Sequence, residues 1–212
     1  MDVSAIFLDR QSWKVYCTLV SAGFLRIHCG VQEHRGAPWV SRTNASGWAK
    51  VAFFVLILGA VLDIAGYATT SWVVYASSDG ATKVNLGLWT ITACQASVCQ
   101  TASVTDAYVN TLFNVMRIME TIGLILAVFL VFFVGIYVFL DSMKTSTIVR
   151  TAMVLCFLAG IVIFIGMCLC LAYVPFPYVV SFSMGLTVLG YLLILIAGAL
   201  LIPDSCEPRD YD

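Results

Sequence analysis

Charged side chains and histidines are scarce in this chain of 212 residues: 11% of the residues are charged and two are histidine. Soluble domains carry about 25% charged residues, so this composition lies outside their range. The net charge of −1 gives no electrostatic reason to expect nucleic acid as a partner. Scattered acids, few histidines and the lack of a Gly-rich phosphate-binding loop leave little material for catalysis. We therefore expect a protein that is not an enzyme.

Compact metal-binding motifs are also missing from the sequence, although it has eight cysteines. Cys17 and Cys29 stand near His28 and His34, but their C-x11-C spacing matches no compact zinc pattern. Reduced, unliganded cysteines are the favoured interpretation of this stretch. We expect neither a metal nor a cofactor.

Long apolar runs are what the chain does have: 61% of its residues are hydrophobic and the mean hydropathy is +0.96. Four of these runs exceed the roughly 20 residues that cross a bilayer as a helix. A spanning segment has to satisfy its own backbone hydrogen bonds, which favours helices. We therefore expect the spans to be surrounded by the lipid bilayer. The predicted spans cover residues 49–71, 118–140, 149–173 and 178–202.

Residues 1–48 precede the first predicted span and are of mixed polarity. The apolar stretch 15–25 is similar to the core of a signal peptide, but Asp2 and Asp9 spoil the cationic start that signal peptides have. Arg26 then ends the stretch before it is long enough to span. We favour a partly disordered, basic tail over a cleaved signal peptide.

The distribution of basic residues predicts the orientation of the spans. Six Lys or Arg residues precede or begin the first span, counting Lys50, and the short loop 141–150 carries two more. The long loop 72–117 has only Lys83 clear of the membrane edge. The positive-inside rule therefore places both termini, including the C-terminal tail 203–212, in the cytoplasm and the long loop outside.

The loop 72–117 is polar and rich in residues that favour strands. Cys94 and Cys99 within it are separated by four residues, a spacing that suits a bridge across a short hairpin. Because the loop is predicted to face an oxidising compartment, we expect a disulfide rather than two thiols. Closing so small a loop stabilises the fold by about 2 kcal/mol in the chain-entropy model.

A combined pattern of residues in this loop resembles the superfamily of claudins, peripheral myelin protein 22 and epithelial membrane proteins. The resemblance covers the four-span layout from about residue 48 to residue 202. It implies an all-α transmembrane four-helix bundle with a small extracellular antiparallel β-sheet, in which the Arg ties the sheet to the helices. The pattern, in chain order, is Trp72, Gly87, Leu88, Trp89, Cys94, Cys99 and Arg117.

The resemblance also implies a function: that of a structural protein of the plasma membrane, at cell–cell junctions or in a paracellular barrier. The protein would then assemble laterally and in trans through the sheet, with itself or related four-span proteins as partners. The connection between the third and fourth predicted spans, at residues 173–177, is much shorter than the second extracellular loop of claudins. That difference favours an alternative, an auxiliary subunit that modulates an ion channel or the trafficking of another membrane protein.

Few charged or reactive side chains lie in or near the spans. Asp63 falls near the middle of the first span, where an Asp costs about 2.5–3.5 kcal/mol on insertion scales. It is either an ion or proton site or a structural polar contact, and we favour the structural contact. Glu120 follows Arg117 by three residues and is expected to pair with it at the outer edge of the second span. Cys206 is a candidate for S-palmitoylation, with an unmodified thiol as the alternative.

Overall fold

The structure of the protein is a computed structural model. For residues 4–32 only the backbone of the strands is described, and for Cys206 only the backbone. The described residues are 4–8, 14–22, 24–32, 46–77, 82–95, 98–104, 109–140, 145–174 and 177–206.

Four long apolar helices form the main body of the protein, and each is long and apolar enough to cross a membrane. The fourth continues, after a turn, into a fifth short helix at the end of the described chain. The predicted fold, a four-helix membrane bundle with a small antiparallel sheet, is confirmed. The helices are α1 (Gly47–Ala68), α2 (Thr111–Phe139), α3 (Ser146–Tyr173), α4 (Phe182–Leu200) and α5 (Ile202–Cys206).

Polar caps set where the helices begin. The side chain of Asn110 accepts a hydrogen bond of 2.9 Å from the backbone N–H of Phe113, so α2 begins seven residues before the predicted span. Ser46 and Thr145 cap α1 and α3 in the same way. The early start of α2 places Arg117 within the helix, in its second turn.

Two helix pairs make up the bundle: α1 packs most extensively on α4, and α2 on α3. Contacts of α3 with α4 and of α1 with α2 close the four helices around one core. Most of the large, fully buried side chains are aliphatic, as expected where the interior excludes both lipid and water. They include Leu56, Leu130, Val134, Ile163 and Ile194.

A five-stranded antiparallel sheet lies at one end of the bundle, here called the sheet end. Four strands lie between α1 and α2, and the fifth comes from the connection between α3 and α4. The order across the sheet is β7-β6-β5-β4-β8. The strands are β4 (Val73–Ala76), β5 (Thr82–Leu86), β6 (Thr90–Gln95), β7 (Val98–Ser103) and β8 (Val179–Val180).

Strand β8 corrects the predicted start of the fourth span at residue 178. Val180 pairs opposite Val73 and Val179 opposite Val74, and α4 begins only at Phe182. A pair of β-branched residues fits a sheet edge as well as it fits a helix in a membrane, so hydropathy alone does not separate the two.

The backbone of the N-terminal segment forms a second antiparallel sheet of three strands, in the order β1-β2-β3. Its strands are β1 (Ser4–Leu8), β2 (Lys14–Ala22) and β3 (Phe24–Gln32). The sequence suggested a partly disordered tail here, because the segment is of mixed polarity and its apolar stretch is too short to span a membrane.

Candidate functional site

Trp72 joins three elements where the bundle meets the sheet. Its side chain is buried, and the indole Nε1–H donates a hydrogen bond of 2.8 Å to the carbonyl of Gly66 in the last turn of α1. Its backbone N–H donates to the carbonyl of Leu86 at 3.0 Å, and its carbonyl accepts from the N–H of Ser181 at 3.0 Å. A single residue thus connects α1, the sheet and the start of α4.

The Gly-Leu-Trp motif forms the tip of the hairpin between β5 and β6. The N–H of Gly87 donates to the carbonyl of Thr90 at 2.9 Å, leaving Leu88 and Trp89 as a two-residue loop. Leu88 is buried, whereas Trp89 is 47% exposed. A Cβ on Gly87 would lie 2.8 Å from the Cα of Thr70, so only glycine allows this close approach of two backbones.

Arg117 reaches from α2 to the tip of that hairpin. Its Nε–H donates a hydrogen bond of 2.5 Å to the carbonyl of Leu88. Its guanidinium carbon lies 5.0 Å from the ring centroid of Trp89 and 4.3 Å from that of Phe113. Tyr67 packs on the ring of Trp89, with centroids 6.0 Å apart. The arrangement holds one exposed aromatic side chain in a fixed orientation between two helices.

The predicted disulfide between Cys94 and Cys99 is confirmed. The two cysteines lie directly opposite each other on β6 and β7, with their Cα atoms 4.0 Å apart and a sulfur–sulfur distance of 2.04 Å. Strand β7 is exposed along its whole length and forms one edge of the sheet. The bridge therefore ties the edge strand to its neighbour.

The surface of the sheet is nearly uncharged and carries both neutral polar and apolar side chains. Val98 is 66% exposed and Val179 61% exposed, at opposite edges of the sheet. Among the described residues of the sheet and its turns, the only charged side chain is Lys83. The exposed strand β7, for example, presents Gln100 and Thr101 beside Val98.

The two acids predicted near the membrane lie inside the bundle. Asp63 is 1% exposed and Glu120 is 2% exposed. The expected pair between Glu120 and Arg117 does not form, because Arg117 is directed towards the sheet and atom Oε1 of Glu120 has no hydrogen-bond partner. Oδ2 of Asp63 is also buried without a partner. The structure thus places two buried carboxyls where the sequence suggested one.

A polar cluster at the other end of the bundle was not predicted. Asp204 of α5 is buried, accepts a hydrogen bond of 2.9 Å from the hydroxyl of Tyr137 and also accepts one from the hydroxyl of Ser46. The Nε–H of Arg150 donates to the carbonyl of Ser205 at 3.1 Å. These bonds attach the short α5 helix to the ends of α1, α2 and α3. The Cys206 side chain lies outside the described residues.

Comparison of the chain with protein-family models and with curated protein sequences finds no match. Within the part of the chain that the structure describes, no group of three or more His, Cys, Asp or Glu side chains is placed to hold a metal ion.

Proposed function

We propose that the protein is a non-enzymatic, claudin-like structural protein of the plasma membrane with both termini in the cytoplasm. In this proposal the sheet faces outward and makes contacts at cell–cell junctions or in a paracellular barrier. Copies of the protein, or related four-span proteins, assemble beside it in the same membrane and against it in the facing membrane. The basic residues before α1 and in the loop between α2 and α3 support this orientation.

The observation that carries the proposal is a rigidly mounted sheet whose described residues include one charged side chain, Lys83. Trp72 and Arg117 fix the sheet to the bundle through a buried hydrogen bond and a charge-assisted one. Exposed apolar side chains at both edges, Val98 and Val179 among them, then remain available for contact. A surface held in one orientation binds a facing copy with less loss of conformational entropy than a mobile loop would.

Mixed cell culture tests this proposal. Cells without junction strands of their own express the tagged protein beside untagged neighbours, and the signal is compared at the two kinds of contact. We expect enrichment only where two expressing cells meet, and loss of that enrichment in Val98→Lys and Val179→Lys, which leave the bundle untouched. Uniform signal for the unmodified protein, at normal surface levels, would reject assembly between facing cells.

The alternative, an auxiliary subunit of a channel or of another membrane protein, is favoured by the short connection between α3 and α4. In its described residues, that connection contributes the two-residue strand β8 to the sheet, which is little surface to offer to a facing cell. A partner would then contact the bundle within the membrane, where α2 exposes Phe129, Phe132 and Phe139. Co-purification of one stoichiometric membrane partner, together with uniform surface signal, would favour this alternative.

A further inference from the structure

Two carboxyl groups from different helices lie buried in the same region of the bundle. Asp63 of α1 and Glu120 of α2 are both more than nine-tenths buried, and each has a buried oxygen without a hydrogen-bond partner. The hydroxyl of Tyr67, one turn after Asp63, lies 3.0 Å from that of Thr121, which follows Glu120, so these parts of α1 and α2 are in contact. Two buried carboxylates with unpartnered oxygens in one part of the bundle would be strongly unfavourable.

No basic side chain in the described helices compensates these acids. The described helices contain three basic residues, Lys50, Arg117 and Arg150. Lys50 precedes Asp63 by thirteen residues, about 20 Å along the helix. Arg150 lies at the far end of the bundle, where it binds the backbone of α5. Arg117 is the nearest, one turn from Glu120, but its guanidinium is engaged by the sheet.

The other titratable groups on the surrounding helices do not neutralise the pair. On α3, Cys170 lies one turn after Gly166, which faces Glu120, and a thiol brings no positive charge. On α1, the hydroxyl of Tyr67 is engaged by Thr121 at 3.0 Å. On α4, the ring of Tyr191 packs on that of Phe164, with centroids 5.9 Å apart.

The backbone of α3 makes room for one of the two carboxyls. A Cβ built on Gly166 would lie 2.5 Å from Oε1 of Glu120, so the absence of a side chain there creates the space that this oxygen fills. The packing therefore accommodates a carboxyl group at this point. In this buried interior the neutral carboxyl group is strongly favoured over the charged carboxylate.

We propose that Asp63 and Glu120 form a proton-binding site inside the bundle, in which the pair keeps at least one bound proton. Asp63 lies six residues before the C-cap Thr69, about 9 Å along the helix from the sheet end. Protons therefore exchange with the side of the membrane that carries the sheet. Loss of the last proton would leave two buried charges without a counter-ion, so the bundle near the sheet is stable only while the site is occupied.

Infrared spectroscopy of the full-length protein in lipid nanodiscs tests for the bound proton. A protonated carboxyl has a C=O stretch that is distinct from the bands of a carboxylate and shifts in deuterated water. We expect this band at about pH 7, where exposed acids are ionised. Its intensity should fall by half or more in the double variant Asp63→Asn, Glu120→Gln. An unchanged band in the variant, or no band in the unmodified protein, would overturn the proposal.

A chemical probe locates the proton independently of spectroscopy. Dicyclohexylcarbodiimide is apolar and reacts with protonated carboxyls: the acid proton moves to a carbodiimide nitrogen, and a carboxyl oxygen adds to the central carbon. The adduct rearranges to a stable N-acylurea, which peptide mass spectrometry assigns to a residue. We expect the adduct on Glu120 or Asp63, with a yield that falls severalfold from about pH 6 to about pH 9.

Two outcomes of the labelling experiment would contradict a proton site. Protection by sodium ions at constant pH would mean that a metal cation occupies it instead. Labelling of neither acid in a folded sample would mean that both are ionised or engaged elsewhere. Because Gln and Asn are neutral and close in shape to the acids that they replace, the double variant should fold, which its thermal midpoint verifies.

The pH dependence of stability provides a further test, because the proposal fixes the direction of the change. The folded protein binds more protons at this site than the unfolded chain does near neutral pH, so its stability should fall as the pH rises. The double variant Asp63→Asn, Glu120→Gln should lose that part of the pH dependence and be the more stable protein at about pH 9. Parallel pH profiles for the two proteins would contradict the proposal.

Discussion

The Nε–H of Arg117 donates a hydrogen bond of 2.5 Å to the carbonyl of Leu88, 29 residues earlier in the chain. One partner belongs to a membrane-spanning helix and the other to the tip of a hairpin in the sheet. The bond is charge-assisted, and the same guanidinium lies over the rings of Trp89 and Phe113. Arg117 therefore couples the orientation of the sheet to that of α2.

Replacement of Arg117 by Lys should destabilise the protein nearly as much as replacement by Ala. A hydrogen bond from a charged donor contributes about 1.5–3 kcal/mol, and stacking of a guanidinium on aromatic rings adds about 0.5–1 kcal/mol. Lys keeps the charge but lacks the planar donor that makes both contacts. The thermal midpoint, followed by tryptophan fluorescence, measures the effect. Lys83→Ala, at an exposed position of β5, should leave it unchanged. A fully stable Arg117→Lys would contradict this account.

Replacement of Gly87 by Ala should disrupt the hairpin tip. The new Cβ would lie 2.8 Å from the Cα of Thr70 and 3.2 Å from the carbonyl oxygen of Thr69, and both are backbone atoms that cannot turn aside. We expect a loss of about 1–3 kcal/mol, as for overpacked sites. Gly185→Ala on α4 is the matched control, because no atom lies within 4 Å of its added Cβ. Equal stability of the two variants would show that the approach at Gly87 is not tight.

The four helices could be predicted from the sequence because an apolar run of more than 20 residues has few other solutions in a membrane. The helix ends could not. Residues 111–117 are only partly apolar, so the cap at Asn110, rather than hydropathy, sets the start of α2. Val179 and Val180 are apolar enough to belong to either a helix or a strand, and pairing with β4 decides for the strand.

The residues that join the sheet to the bundle could be predicted from their order in the chain. The geometry around them depends on contacts that no local sequence pattern encodes. Glu120 stands three residues after Arg117, a spacing that suits an ion pair, yet the sheet engages Arg117 and leaves Glu120 inside the bundle. Asp204 contacts Tyr137, 67 residues away, and Ser46, 158 residues away. Such long-range bonds become visible only when the helices are assembled.

Replacement of Trp72 by Phe should separate the contribution of its hydrogen bond to stability from that of its packing. Phe keeps most of the buried ring but removes the Nε1–H that donates to the carbonyl of Gly66. Because that carbonyl keeps the hydrogen bond of 3.1 Å from the hydroxyl of Thr69, we expect a loss of about 0.5–1.5 kcal/mol. Trp72→Ala also removes the ring and should cost about 3–5 kcal/mol. Thermal midpoints of the two variants provide the comparison. Identical midpoints for Trp72→Phe and the unmodified protein would show that the hydrogen bond contributes nothing.

Removal of the disulfide should loosen the edge of the sheet and leave the bundle intact. Cys94→Ser combined with Cys99→Ser should lower stability by about 2 kcal/mol, the entropy of closing so short a loop. In the unmodified protein, both thiols should react with an alkylating reagent only after reduction, as mass spectrometry of the tryptic peptides can show. Cys168, an exposed free thiol on α3, reports whether the reagent reaches the membrane region. Alkylation of Cys94 and Cys99 without reductant would reject the bridge.

Replacement of Asp204 by Asn should weaken the end of the bundle opposite the sheet. The carboxylate accepts hydrogen bonds from Tyr137 and Ser46, so one side chain holds α5 to two helices. Each bond to a charged acceptor contributes about 1.5–3 kcal/mol, and an amide accepts more weakly and with one oxygen only. We expect the thermal midpoint to fall, with hydrogen exchange becoming faster at the beginning of α1.

A double-mutant cycle tests whether the hydroxyl of Tyr137 stabilises the protein through its hydrogen bond to Asp204. Tyr137→Phe and Asp204→Asn should destabilise less together than the sum of their separate effects, with a coupling of about 0.5–3 kcal/mol, because each removes the same bond. Tyr191→Phe on α4, whose ring packs on Phe164, makes the same chemical change and should be additive with Asp204→Asn. Additive effects for the first pair as well would mean that the hydroxyl of Tyr137 stabilises the bundle independently of Asp204.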